Sequence, residues 1–180
     1  MQPWQTHNTR TAYENAWIRV REDDVTRPDG TRGVYGVVEL RQPAVFVVAL
    51  TDEDEVVLVE LFRYAVDAWS LEVPAGGSEG EEPLVAAKRE LLEETGLVAR
   101  DWREVGRVHA LNGVCSAAEH VFLARGLSTA GGARQAEEGI TAVRTVPWAQ
   151  VVGLVRDGTI TDGETVTALM LAAIELGRVA

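Results

Sequence analysis

The most informative stretch of the sequence is PAGGSEGEEPLVAAKRELLEETGLV at residues 74–98, because it contains start and stop signals for a single helix. Pro83 stands just inside the expected start of this helix, where proline is tolerated, and Gly96 stands just past its expected end. We therefore predict a helix over about residues 82–95. Strand-like segments precede and follow it, so the helix is expected to pack on a sheet.

Three glutamates, Glu90, Glu93 and Glu94, crowd the last turn and a half of the predicted helix and share one side of it. Like charges three or four residues apart each cost about 0.2 to 0.5 kcal/mol, and carboxylates at the C-terminal end oppose the helix dipole. Arg89 offsets only part of this repulsion. Hard divalent cations take oxygen ligands, so a cation site would explain the arrangement, whereas the alternative is a solvated acidic helix face.

The spacing of the charged residues resembles the Nudix box. This family signature is written as glycine, five residues, glutamate, seven residues, Arg-Glu, an aliphatic residue, any residue, Glu-Glu, any residue, glycine and an aliphatic residue. The residues that fall at the required positions are Glu81, Arg89, Glu90, Leu91, Glu93, Glu94, Gly96 and Leu97. One departure concerns the first glycine, whose position falls on Ala75, whereas Gly76 fits the local sequence PAG. The loop before Gly80 is therefore expected to be one residue short and to follow a different path, without loss of ligands.

The resemblance implies a loop, helix and loop that hold Mg²⁺ or Mn²⁺, two or more ions per site, against a substrate diphosphate. On that pattern Glu90 and Glu94 are the first metal ligands, and Glu93 supports them or bridges a second ion. In relatives that cleave ADP-ribose, the carbonyl at the position of Ala75 also meets a metal. The residues to which the same pattern gives a structural role in the box are Glu81, Arg89 and Gly96.

Hydrolysis also needs a base for the attacking water, and the resemblance offers catalytic candidates inside and outside the box. Glu93 is the candidate inside it. The loop that ends in AEEGITAVRTVPW contains Glu137 and Glu138, of which Glu138, two residues before Ile140, fits the family pattern better. The alternative for either residue is an ordinary polar loop position.

Three further features resemble the ADP-ribose or ADP-sugar pyrophosphatase branch of this family. Residues 13–39 are similar to the β element through which those enzymes dimerise, residues 61–77 resemble their approach to the box, and residues 160–176 are similar to their closing helix. Arg63 then stands where an arginine can reach the substrate, and Trp17 is a substrate-binding candidate that would stack on adenine. The alternatives are an exposed strand end for Arg63 and a core or interface position for Trp17.

The remaining segments are typical of strands and two more helices. Apolar or alternating runs predict strands near residues 17–25, 34–40, 44–50, 56–62, 69–73, 102–111, 119–124 and 141–146. Helices are predicted over residues 147–156 and from Asp162, a possible N-cap, to Gly177. The predicted fold class is α/β, a Nudix-type α/β/α sandwich with a mixed sheet, preceded by an N-terminal antiparallel β hairpin extension. We expect residues 1–40 to form this extension, with a role in dimerisation, and residues 41–180 to form the Nudix hydrolase domain.

Composition narrows the partners. The formal net charge of -11 argues against nucleic acid, because affinity for a phosphate backbone comes mainly from Lys and Arg. Apolar runs such as residues 44–50 are too short to span a bilayer, and the first ten residues lack the apolar core of a signal peptide. The single cysteine, Cys115, cannot form an internal disulfide. We expect a cytoplasmic protein with no membrane and no nucleic acid as partner.

The function that the resemblance implies is metal-dependent hydrolysis of the diphosphate bond of a nucleoside diphosphate sugar, foremost ADP-ribose to AMP and ribose 5-phosphate. The expected partners are this small-molecule substrate and a second copy of the chain, in a homodimer. Alternatives are a Nudix hydrolase of another derivative, such as GDP-mannose, a dinucleoside polyphosphate or NADH, and a non-catalytic module that senses ADP-ribose or NAD. The complete set of box carboxylates disfavours the module, because a protein that only binds has little reason to keep ligands that destabilise a helix.

Overall fold

Three N-terminal strands form an antiparallel meander in the computed structural model, which describes residues 3–179. Strands β1 (Gln5–Glu14), β2 (Ile18–Thr26) and β3 (Arg32–Leu40) pair in that order, and the short strand β9 (Cys115–Ser116) adds to β3 in parallel. These strands belong to a first unit, which contains the described residues up to Pro43 together with His109–Ala118.

The hairpin predicted over residues 17–40 is present as β2 and β3, joined by a tight turn in which Gly30 has a φ of 84°. Asp29 closes this turn, because its carboxylate accepts a hydrogen bond from the backbone N–H of Thr31 at 2.9 Å. Strand β1 has no counterpart among the predicted strands. Its sequence QTHNTRTAYE lacks the apolar alternation of a half-buried strand, and all ten of its residues are exposed.

The second unit contains Ala44–Val108 and the described residues from Glu119 onward. Its strands are β4 (Ala44–Ala49), β5 (Glu55–Arg63), β6 (Ala68–Glu72), β7 (Ala75–Gly77), β8 (Leu97–Val108), β10 (Glu119–Thr129) and β11 (Ile140–Pro147), and its helices are α1 (Pro83–Thr95), α2 (Trp148–Arg156) and α3 (Gly163–Glu175). One sheet has the order β7, β4, β10, β8 and is mixed, because β4 and β10 run parallel. The other sheet has the order β11, β5, β6 and is antiparallel.

Helices cover both faces of the sheet layer, and strand β4 shows how. Its successive side chains point to opposite faces. Val48 is buried in one apolar cluster with Trp148 of α2 and Leu169 of α3, whereas Val47 is buried in another cluster with Leu91 of α1. The α/β/α sandwich with a mixed sheet is therefore confirmed.

The pairing of β4 and β5 differs from the simplest interpretation of their sequences. Residues 44–50 and 56–62 are two continuous apolar runs separated by an acidic turn, and consecutive strands of this kind commonly pair with each other. Instead β4 pairs with β10 and β7, β5 pairs with β11 and β6, and only an isolated bridge between Leu50 and Val56 joins the two runs. A continuous apolar run indicates burial on both faces but does not specify which strand lies beside it.

Helix α1 has the predicted bounds. Glu82 is its N-cap, Pro83 occupies its first turn, and Gly96 ends it with a φ of 72°, a left-handed conformation that suits glycine. Helix α3 begins as predicted, because the Asp162 carboxylate accepts a hydrogen bond from the backbone N–H of Thr165 at 2.7 Å. Within residues 3–179, no helix has the length and apolar character needed to cross a membrane.

Candidate active site

Strand β7, helix α1 and the loop between β10 and β11 enclose a cleft of about 440 Å³. Its lining residues are Ala75, Gly76, Gly77, Glu79, Arg89, Glu90, Glu93, Arg134 and Glu138. Strand β7 is held at the sheet edge by its pairing with β4. The chain then turns through Glu79 and Gly80, both with positive φ, and the N–H of Glu81 bonds to the carbonyl of Ser78 at 2.8 Å. This turn directs α1 so that its carboxylate side faces β7.

The glutamates of α1 are not a solvated acidic face. Glu90 is 6% exposed and Glu94 is 5% exposed. Burial raises the pKa of Glu94 to about 8, against a hydrogen bond from the backbone N–H of Ala75 at 3.0 Å, and the negative charges of Glu90 and Glu138 raise it further. Burial also raises the pKa of Glu90, and Arg89 opposes this rise. The two carboxylates therefore lie in a setting that penalises their negative charge.

Arg89 ties the loop to the helix. Its guanidinium donates to Glu81 at 2.9 Å, to Glu90 at 2.8 Å, to Glu93 at 3.2 Å and to the carbonyl of Gly77 at 2.8 Å. Burial alone would lower the pKa of Arg89, but its hydrogen bonds to Glu81 and Glu90 and the charge of Glu90 raise it well above the ordinary value. These contacts link Glu81 and Arg89 to each other, and their structural roles stay a prediction.

Gly76 lies where the Glu90 carboxylate approaches the backbone of β7. A Cβ atom added at Gly76 would lie far inside contact distance of the Glu90 carboxylate, whereas one added at Gly77 would meet no atom within 4 Å. Glycine is therefore needed at position 76 so that the Glu90 carboxylate can lie against the backbone of β7. The shorter loop keeps a glycine where the helix carboxylate approaches the strand.

The loop between β10 and β11 brings a further carboxylate to the cleft. Glu138 lines the cleft, and its charge raises the pKa values of Glu90 and Glu94, whereas Glu137 is not among the lining residues. Arg134 also lines the cleft and forms an ion pair with Glu93 at 3.0 Å. Sequence reasoning missed Arg134, because an arginine in a loop of small residues carries no pattern that indicates its partner.

Arg63 and Trp17 lie outside the lining of the cleft. Arg63 donates to the buried carboxylate of Glu72 through Nε at 2.9 Å and through Nη2. These bonds raise the pKa of Arg63, and the charges of Asp162 and Glu94 raise it further, so Arg63 lies within electrostatic reach of Glu94. Trp17 is 76% exposed in the first unit, and its role in substrate binding stays a prediction.

The cleft residues fit a hard divalent cation by donor chemistry. Carboxylate and backbone oxygens are the ligands that Mg²⁺ prefers, and the cleft offers the carboxylates of Glu90, Glu93 and Glu138 beside the backbone of Ala75. Among residues 3–179, however, no three His, Cys, Asp or Glu side chains already form a metal-binding group. Both carboxylate oxygens of Glu93 are paired with arginines.

Two family matches together span most of the chain. Residues 4–38 match the nucleoside diphosphate sugar hydrolase N-terminal domain, and residues 40–169 match the NUDIX domain. An ADP-ribose pyrophosphatase of Bacillus subtilis is 34% identical over 149 residues, which cover 82% of this chain and 80% of that protein. A CMP-5'-(N-acetyl-N-hydroxy-3-aminopropyl)phosphonate hydrolase of Streptomyces rubellomurinus is 28% identical over 177 residues, which cover 97% and 84% of the two chains.

A solved structure shows the same fold. The crystal structure of an ADP compounds hydrolase matches 99% of this chain and 98% of its own with a TM-score of 0.86, at 24% sequence identity. The NUDIX match includes strand β7, helix α1 and every residue that lines the cleft. The NUDIX match covers most of the chain, and the Bacillus subtilis pyrophosphatase is 34% identical over 82% of it. The chain therefore belongs to the Nudix family and is a pyrophosphatase-type hydrolase.

Proposed function

We propose that this protein is a divalent-cation-dependent pyrophosphatase that hydrolyses ADP-ribose to AMP and ribose 5-phosphate. The observation that carries the proposal is the buried pair of carboxylates, Glu90 and Glu94, one helical turn apart beside a cleft that also contains Glu138. Buried carboxylates at the C-terminal end of a helix destabilise it, so a bound cation would offset this electrostatic destabilisation.

The residues that would hold the cation are Glu90 and Glu94, with support from Glu93 and the carbonyl of Ala75. A bound divalent cation supplies charge neutralisation at the diphosphate and lowers the pKa of a water molecule. The pKa of Glu94 is about 8, so its carboxyl group would have to give up a proton to serve as a ligand. Arg89 keeps Glu90 in place through its hydrogen bond to Oε1.

The proton of the attacking water goes to the Glu138 carboxylate in this proposal. Oxygen of the water bonds to one phosphorus of the diphosphate, and the bond from that phosphorus to the bridging oxygen breaks, so that each product leaves with one phosphate. Glu138 lines the cleft, and its charge acts on Glu90 and Glu94, which supports it over Glu137 as the base. Glu93 is a weaker candidate, because two arginines already neutralise it.

The relative from Bacillus subtilis supports ADP-ribose as substrate by its name and its 34% identity. Arg63 is the proposed contact for an anionic part of the substrate, since Glu72 orients its guanidinium while about half of the side chain stays exposed. Trp17 remains a candidate for stacking on the adenine ring.

Another nucleotide derivative is the second candidate substrate class. The relative from Streptomyces rubellomurinus, which matches 97% of this chain, is named for a CMP-linked phosphonate. GDP-mannose, dinucleoside polyphosphates and NADH belong to the same test. A module that only senses ADP-ribose or NAD is the remaining alternative, and the buried carboxylate pair argues against it.

A homodimer through the N-terminal extension is part of the proposal. Exposed aromatic side chains on the first unit, Tyr13 and Trp17, together with exposed Val34, offer apolar surface for a second copy. Light scattering at micromolar concentration would give twice the chain mass of 19.5 kDa for a dimer, and a monomer would contradict this part of the proposal.

The test of the function is a panel of nucleoside diphosphate derivatives incubated with the protein and Mg²⁺ or Mn²⁺, with products separated by chromatography. We expect AMP and ribose 5-phosphate from ADP-ribose. The variant Glu94→Gln should lose this activity, while Glu53→Gln, at an exposed turn, should keep it. Faster turnover of GDP-mannose or a CMP derivative would move the substrate assignment, and tight binding of ADP-ribose without product would favour the sensing module.

A further inference from the structure

Glu93 differs from its two neighbours in the box because both of its carboxylate oxygens are already paired. Oε2 pairs with Nη1 of Arg89 at 3.2 Å, and Oε1 pairs with Nη1 of Arg134 at 3.0 Å. Each oxygen keeps a second lone pair, but a guanidinium group on it places a positive charge beside any cation that binds there. Glu93 would therefore bind a cation more favourably if one of the two guanidinium groups moved away.

The two arginines are not equally able to move. Arg89 is 22% exposed and donates to Glu81, Glu90, Glu93 and the carbonyl of Gly77, so its departure would break a whole network. The side chain of Arg134 is 60% exposed, and within residues 3–179 its ion-pair partner is Glu93. Exposed single ion pairs are weak. Arg134 is therefore the guanidinium that a competing cation would displace.

The backbone of Arg134 holds its loop in place without help from the side chain. Its N–H donates to the carbonyl of Glu93 at 2.6 Å, and its own carbonyl accepts from the N–H of Glu137 at 2.8 Å and, more weakly, from that of Glu138 at 3.3 Å. Four residues before Arg134, the N–H of Ala130 donates to the carbonyl of Gly96 at 3.0 Å. Removal of the guanidinium should thus leave the loop docked on the end of α1.

We propose that Arg134 is a positioning residue that acts through Glu93: it neutralises Glu93 in the cation-free protein and is replaced there by the divalent cation. Arg134 thereby sets how tightly the cleft binds its cation. This inference rests on the proposed cation dependence of the same cleft.

The test measures Mn²⁺ binding to the purified full chain without substrate, by electron paramagnetic resonance of the free ion. The variants are Arg134→Gln, Arg134→Lys and a matched control, Arg103→Gln, whose exposed guanidinium pairs with Glu175 outside the cleft. We expect Arg134→Gln to bind Mn²⁺ roughly three-fold more tightly or better, the factor that removal of one partly screened competing charge would give. Arg134→Lys keeps the charge and should stay near wild type, as should Arg103→Gln.

Tighter binding distinguishes competition from a structural role, because a residue that merely holds the loop in place would weaken the site when lost. Unchanged or weaker Mn²⁺ binding by Arg134→Gln, in a variant with the thermal midpoint of wild type, overturns the proposal. An equal gain in Arg103→Gln would also overturn it, since the effect would then reflect net charge alone. Failure of the wild-type protein itself to bind Mn²⁺ would instead refute the proposed cation dependence, and this inference with it.

Discussion

Two groups of carboxylates lie at opposite ends of two helices, so the helix dipole disfavours the charge of one group and favours that of the other. Glu90 and Glu94 lie near the C-terminal end of α1, where the helix dipole disfavours negative charge. Asp162 and Glu164 lie at the N-terminal end of α3, where the dipole favours it and where the Asp162 side chain caps the backbone. The second group has a structural task that its position explains, whereas the first group does not.

Raised pKa values alone do not separate the two groups. The pKa of Glu94 is raised to about 8, mainly by burial, and that of Glu164 is raised to about 7, mainly by burial and by its hydrogen bond to Asp162. The difference lies in what surrounds the carboxylates. Near α1 there is a cleft with further carboxylates and two arginines, and its oxygen donors fit a divalent cation. The helix end and the neighbouring cleft, together with the pKa, therefore mark the α1 carboxylates as the functional candidates.

The largest expected effect tests whether only the α1 group is functional. Glu90→Gln should lower kcat/KM for ADP-ribose with Mg²⁺ by at least about a hundred-fold, the scale on which loss of one electrostatic group at a reacting centre acts. Glu164→Gln should change it by no more than a few-fold. The measurement is initial rate against substrate concentration for the two variants and wild type. Similar losses in both variants would remove the distinction between the two groups.

A smaller effect tests the fit of β7 against α1. Gly76→Ala places a methyl group against the Glu90 carboxylate, which must then turn away, while Gly77→Ala meets open space. We expect Gly76→Ala to reduce kcat/KM about ten-fold or more, because misplacing a group in the site is costly even when the fold survives. Gly77→Ala should stay near wild type. Because the displaced group is the end of a flexible side chain, the thermal midpoint of Gly76→Ala should stay near that of wild type. A lowered thermal midpoint with full activity would contradict this interpretation.

Much of this arrangement was predictable because it depends on spacing within one element. The bounds of α1 follow from Pro83 and Gly96, and the shared side of Glu90 and Glu94 follows from helical periodicity. The N-cap of α3 follows from the preference of aspartate for that position. The family match confirmed the class of enzyme that these patterns indicated.

Features that depend on contacts between distant segments were not predictable. The pairing of Arg134 with Glu93 joins residues far apart in sequence, and neither residue type specifies the other. Burial of Glu90 and Glu94 was hidden for a similar reason, because strand β7 lies against both carboxylates and periodicity shows only which side of the helix they share. The exposed strand β1 left no apolar pattern to recognise.

The smallest expected effect concerns stability at α3. Glu164 has a folded pKa of about 7 against an ordinary value of 4.5, so the folded protein holds a proton that the unfolded chain releases between these values. Its stabilising contribution is fully present below about pH 4.5 and is lost as the pH rises through about 7. For this partly exposed group, the loss should be on the order of 1 kcal/mol of unfolding free energy.

The variant Glu164→Gln isolates this contribution, because an amide keeps a donor toward Asp162 at every pH and has no proton to lose. Urea unfolding of cation-free wild type and variant at pH 5 and pH 8 gives the two differences in unfolding free energy. Glu94 titrates in the same range in both proteins, so its share cancels in the comparison. We expect the unfolding free energy of the variant, relative to that of wild type, to increase from pH 5 to pH 8. Parallel behaviour at the two pH values would mean that Glu164 holds no extra proton in the fold, and the α3 carboxylates would then be an ordinary helix cap, even less like the α1 group.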